Sequence, residues 1–188
     1  MKKIIAGLIT LLAMFGCSRA PRPQPVEKTT ESPGKGLRTM ILTTKPETVG
    51  MVSDSEFPKI YGVVCDWNIG DTVASIVSMK DGMASLYTTS TFGVIGGEGH
   101  ERVRSAARRL VAEAGRFHDS SQVVTEFHYP SRGKVNYYLL TYQGVRLLTG
   151  DEKTIENGKD PSASLFTAVQ DVMTELRLIT EEKMKTAN

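Results

Sequence analysis

The side chains with chemical reach fall at a few points in the chain. Cys65 alternates with Val63 and Trp67 along an apolar, β-rich run, and His100 is the one histidine placed to serve it as a base. Thiol-dependent catalysis would need that base within hydrogen-bond distance, because the thiolate and not the thiol attacks. The simpler assignment for Cys65 is a small apolar core residue. A second point is the glycine-rich stretch Phe92-Gly93-Val94-Ile95-Gly96-Gly97-Glu98-Gly99-His100-Glu101. Glycines let backbone N–H groups converge, and a helix N-terminus favours anions. Gly93, Gly96, Gly97 and Gly99 are therefore candidates to hold a small anion, with Arg102 or Arg104 as counter-charge. No Gly-Lys-Ser/Thr follows, and the spacing is not that of the dinucleotide fingerprint. Glu98 and Glu101 oppose an anion, so a tight strand-to-helix joint is the favoured alternative.

Arginines make a third group. Arg102, Arg109 and Arg116 line one flank of a helical stripe, and Arg104 and Arg108 the other. Such a face would meet anionic lipid head groups, lipopolysaccharide or an acidic partner. Glu113, within one turn of both Arg109 and Arg116, points instead to ordinary helix pairs on a solvated face. His100-Glu101-Arg102-Val103-Arg104 opens like a zinc-protease helix but has Arg104 where the second histidine belongs. His100 and His118 would stand roughly 27 Å apart along a helix, too far to share a metal. Asp66, Asn68 and Asp71 around Gly70 lack the twelve-residue calcium spacing and are assigned to a turn. No metal and no cofactor is expected.

These residues need elements to position them. Tyr61–Trp67, Thr72–Met79 and Met83–Thr89 have strand composition, the latter two joined by the hairpin signal Asp81-Gly82. Val135–Tyr142 and Val145–Thr149 make a second hairpin around Gln143-Gly144. Val103, Ala106, Ala107, Leu110, Val111, Ala114 and Phe117 form one continuous stripe, predicting a helix over 100–117. Leu165, Val169, Val172, Met173, Leu176 and Ile179 do the same over 162–182, with Asp160-Pro161 at its start. Leu37–Thr44 is expected to be a strand or an irregular lead-in, and Lys45–Pro58 a loop. The order predicts an α+β domain over 37–188: a single antiparallel sheet of about five strands with two amphipathic helices on one face. Tyr61–Trp67 and Val135–Leu140 are apolar on both alternating faces. A second cover is therefore required, either a partner, such as a second copy in a homodimer, or the segment Leu37–Pro58.

The chain has 188 residues, a net charge of +2, 40% hydrophobic and 23% charged residues. That length and composition suit one globular domain with a sizeable core, and the even charge argues against nucleic acid as partner. Two cysteines, Cys17 and Cys65, exclude a disulfide-stapled fold.

Met1-Lys2-Lys3 is basic, Ile4–Phe15 is apolar, and Gly16-Cys17-Ser18 follows. The apolar run is short for a membrane span and fits an export signal over 1–16. Leu12-Ala13-Met14-Phe15-Gly16-Cys17 resembles the bacterial lipoprotein signal. The resemblance implies acylation of Cys17, an envelope location, and Ser18 compatible with outer-membrane sorting. Residues 17–36 carry Pro21, Pro23, Pro25 and Pro33 with no apolar period, which predicts a tether between lipid and domain.

Asp66-Trp67, Asp81-Gly82-Met83-Ala84-Ser85-Leu86-Tyr87, Gly93–Glu101, Tyr138-Leu139-Leu140 and Gly144-Val145-Arg146 together resemble a group of small bacterial proteins without assigned function. The element order is loosely similar to profilin-like and roadblock-type domains, which are mostly interaction modules. The expectation is a membrane-anchored lipoprotein with a non-catalytic domain that binds a protein or envelope component. The alternatives are an anion binder at Gly93–Gly99 and a thiol enzyme using Cys65 and His100.

Overall fold

The computed structural model describes residues 33–90, 93–94 and 99–186. The leader, Cys17, the tether to residue 32, Gly96 and Gly97 lie outside the described residues. The elements are α1 (Pro33–Thr43), β1 (Ile60–Ile69), β2 (Thr72–Met79), β3 (Ala84–Thr88), β4 (Gly93–Val94), α2 (Glu101–Gly115), β5 (Gln122–Val124), β6 (Lys134–Thr141), β7 (Gly144–Asp151), α3 (Glu152–Glu156) and α4 (Ala163–Thr186). The fold is α+β, with one antiparallel sheet in the order β4-β3-β2-β1-β6-β7-β5.

The sheet has seven strands where about five were expected. The two extra ones, β4 and β5, are its edges and are two and three residues long. Runs that short carry no alternation for a period to reveal. The helix α3, five residues long, is likewise too short to show a helical period.

One face of the sheet carries the main core. Val63, Cys65, Ala74, Ile76, Val135, Tyr137 and Leu139 meet the buried stripes of α2 and α4. The two helices lie antiparallel, since Arg102 near the start of α2 pairs with Glu182 near the end of α4, while Ser164 at the start of α4 donates to Glu113. Each fully buried Val, Leu or Ile here contributes about 1.5–3 kcal/mol.

The second face is covered from within the chain. Leu37, Ile41 and Leu42 of α1, with Met51 and Phe127, pack on Tyr61, Val64, Val77, Tyr138 and Leu140. The Leu37–Pro58 segment, one of the two expected covers, lies on this face through α1 and Met51. Residues 37–43 are helical and not a strand or irregular, and the helix begins inside the expected tether. Pro33, Gly34 and Gly36 hid it, because glycine costs about 1 kcal/mol per helical position. Docking on the sheet compensates. At Gly34 a Cβ would stand 2.5 Å from the Thr88 carbonyl, so only glycine lets α1 approach β3 so closely.

Asp66 is not a turn residue. β1 runs on to Ile69, and Asp66 sits inside it, paired in register with Ser75 and Asn136. An extra residue at Tyr61 shifts the β1–β6 register between Ile60 and Gly62, which puts Tyr61 and Val64 on the α1 side.

The β2–β3 turn was legible as Asp-Gly. Gly82 has φ +94°, its N–H donates to the Met79 carbonyl, and Asp81 accepts from the Met83 N–H at 2.9 Å. A Cβ on Gly82 would lie 2.1 Å from Cγ of Arg104, so the turn also forms the bed for that side chain. Gly82→Ala is expected to destabilise the domain by about 1–2 kcal/mol in denaturant titration, from positive φ alone, with more if Arg104 cannot move.

Candidate functional site

The glycine-rich stretch leads into α2 through Gly99 and His100, and Gly93 belongs to edge strand β4, paired with Tyr87. His100 occupies the N-cap without a capping side-chain bond, and Glu101 stands in the first turn, where its charge already complements the helix dipole. Arg102 is shared between Glu175 at 3.5 Å and Glu182 at 3.1 Å on α4. Arg104 lies 3.9 Å from Glu101. Both expected counter-charges thus face carboxylates of the chain. Arg108 pairs with Glu56 at 2.6 Å and Arg116 with Glu113 at 3.0 Å, so the arginine-rich face of α2 is laced with ion pairs, as a solvated face would be.

Cys65 is wholly buried between β2 and β6, opposite Ile76 and Tyr137. Burial pushes its thiol well above the ordinary value. A thiol sealed in the core is not the thiolate that nucleophilic chemistry needs. His100 is partly exposed at the start of α2, while His118 and His128 bond to Asp119 and Glu126 beside them.

A polar constellation that the sequence reading missed lies under α1. The Arg38 guanidinium meets the Asp66 carboxylate side-on: Nε donates to Oδ1 at 3.1 Å and Oδ2 at 2.9 Å, and Nη2 to Oδ2 at 2.5 Å. Arg38 is 4% exposed and Asp66 not at all. Ser75 Oγ donates to Asp66 at 2.5 Å, and Arg38 Nη1 donates to the Phe127 carbonyl at 3.0 Å. The guanidinium lies over the Tyr129 ring at 4.2 Å and the Tyr138 ring at 5.4 Å. Asp66 accepts from donors on every side, as an ionised carboxylate does. Burial nonetheless holds its pKa above the usual carboxylate range, against the pull of Arg38 and Ser75. The signal was present in outline: Arg38 shares a helical stripe with Ile41 and Leu42, and Asp66 falls at an inward position after Val64. The arrangement binds α1 to the sheet and leaves no reacting atom exposed.

An open, mostly apolar concavity lies on the other face, at the β3–β4 side of α4. A groove of about 640 Å³ has an apolar bed of Trp67, Leu86, Val94, Met173 and Met184. Gln170, Thr174, Arg177, Thr180 and Glu181 of α4 complete its wall. Trp67 is fixed there: its indole N–H donates to Glu152 at 2.8 Å, and its ring meets Phe166 edge to face at 5.0 Å. The sequence marks Met173 as part of the α4 stripe, but only the packing shows that the neighbouring flank of α4 lines a groove with Leu86 of β3 and Val94 of β4.

Arg38→Met, which removes the partner of a buried carboxylate, should cost about 3–5 kcal/mol. With Arg38 gone, burial acts on Asp66 against the pull of Ser75 alone and raises its folded pKa further. A raised folded pKa makes stability greatest below the unfolded value near 4 and lost as pH rises through the folded value. The stability deficit of the variant against the native chain should therefore grow from pH 4 to pH 8 in denaturant titration. Adding Asp66→Leu should recover part of the loss and flatten that dependence. Cys65 should resist thiol reagents in the native state and react only on unfolding.

No known protein family, no curated protein and no solved structure matches this chain.

Proposed function

We propose that this chain is a lipid-anchored, non-catalytic binding domain of the cell envelope, held to the membrane through Cys17 and docking an apolar ligand or partner group in the groove beside α4. The observation that supports the binding role is the groove itself. Its bed of Trp67, Leu86, Val94, Met173 and Met184 is hydrocarbon, yet it faces solvent, with Met184 57% exposed. Its size falls in the range of small-ligand sites, about 300–1,000 Å³. Of the other candidate residues, Cys65 is sealed in the core and Arg102 is bound to two carboxylates.

The envelope location rests on the resemblance of the leader to lipoprotein signals. Two or three acyl chains on one residue would anchor stably where a single chain would not. Among the described residues no helix is long and apolar enough to cross a membrane.

Two measurements test the two halves of this function. Mass spectrometry of the membrane fraction should find a mature chain beginning at an acylated Cys17, and Cys17→Ala should abolish that species. A mature chain beginning elsewhere removes the envelope role. Separately, an apolar dye such as N-phenylnaphthylamine should brighten on the full chain and receive energy from Trp67, the one tryptophan. Met184→Glu, a change at an exposed position, should weaken that binding about tenfold without altering the melting temperature. Equal binding by this variant places the dye elsewhere and removes the groove from the account.

A further inference from the structure

We infer that the occupant of the α4 groove is an uncharged amphiphile: a single hydrocarbon chain carrying an uncharged hydrogen-bonding head. This rests on the groove being a binding site and adds the chemical class of its ligand.

The charges lining the groove give the first constraint. Arg177 and Glu181, one turn apart on α4, pair with each other at 2.9 Å. They are the charged residues among the described groove walls, and together they present no net charge. An anionic head placed beside them meets Glu181, and a cationic head meets Arg177. On this solvent-exposed pair either head would feel attraction to one charge and repulsion from the other, with no unpaired partner to gain unless it broke the existing pair. An uncharged head needs no such partner.

Hydrogen-bonding capacity gives the second. Gln170 and Thr174, again one turn apart, line the same wall, and neither side chain makes a hydrogen bond with a described residue. An amide and a hydroxyl side by side offer both donors and acceptors, which suits a hydroxyl, ester or amide head group. The indole N–H does not compete for this role, because Glu152 already holds it. Trp67 therefore contributes hydrocarbon surface alone, continuous with Leu86, Val94 and the two methionines. Methionine suits such a bed because its unbranched thioether adapts to a flexible chain.

The test uses the full chain carrying Cys17→Ser, which keeps the chain's own lipid out of the assay. Trp67 emission is followed during titration with monodecanoylglycerol, decanoate and decyltrimethylammonium, all below micelle formation. These share a chain length and differ in head charge. The uncharged compound should shift Trp67 emission saturably, with both charged compounds at least about threefold weaker. The double variant Gln170→Leu/Thr174→Val, altered at two exposed positions, should weaken monodecanoylglycerol about three- to tenfold while leaving the melting temperature unchanged. If decanoate or the ammonium compound binds as tightly as the uncharged one, the assignment of an uncharged head is overturned while the groove remains a binding site. An unchanged affinity in the double variant likewise overturns the role of Gln170 and Thr174. If neither the dye nor any of the three compounds perturbs Trp67, the ligand class and the binding site both fall.

Discussion

Arg38 and Asp66 form a fully desolvated ion pair, and the second layer of this domain depends on it. Removing both charges from water is costly, and attraction repays the cost only where the remaining donors and acceptors are also satisfied. Here they are. Ser75 completes Asp66, the Phe127 carbonyl takes a further donor of Arg38, and Tyr129 receives the guanidinium on its face. One pair of side chains thus joins α1, β1, β2 and the segment before β6. A buried pair of this kind contributes less to net stability than to uniqueness of docking, because α1 seated in another register would strand a carboxylate in the core.

The pair also belongs to a polar row that crosses the sheet. Ser75, Asp66, Asn136 and Thr149 are neighbours in register on β2, β1, β6 and β7. Thr149 donates to Asn136, and Asn136 and Tyr138 both donate to the His128 carbonyl. Val64, Tyr138 and Leu140 lie beyond the row toward the β6–β7 hairpin, where Ile41, Leu42 and Phe127 close over them. The second face is therefore divided into an apolar patch under α1 and a hydrogen-bonded seam beside it. Such a seam fixes register, since a slip by one residue would place apolar side chains against the guanidinium.

The opposite face is built on volume and not on charge. The stripes of α2 and α4 seal Cys65 and leave Trp67 at the margin, pinned by Glu152 and Phe166. A rigid aromatic at the edge of a core, with its polar atom already satisfied, is a preformed apolar surface. The groove follows from that position. Gln170, Thr174 and Arg177 stand on the exposed side of α4 and wall the space above β3 and β4.

By itself the sequence determined what depends on period and on local turn chemistry. The α2 and α4 stripes, the long strands, the Asp81-Gly82 turn, and the need for a second cover over β1 and β6 are all visible there, because 3.6-residue and two-residue repeats survive in the order of side chains. The same order showed that Arg104 occupies the place a second zinc ligand would need. Tertiary structure alone decided the rest. Pro33, Gly34 and Gly36 argue locally against a helix that only docking on the sheet sustains. β4 and β5 are too short to carry a pattern and exist because longer strands offer them an edge. Asp66 looked like a turn residue until Arg38, twenty-eight positions away in sequence, was brought to within 2.5 Å of it. Contact between distant residues has no period, so the pair that locks the fold and the groove that opens beside α4 are properties of the packed chain.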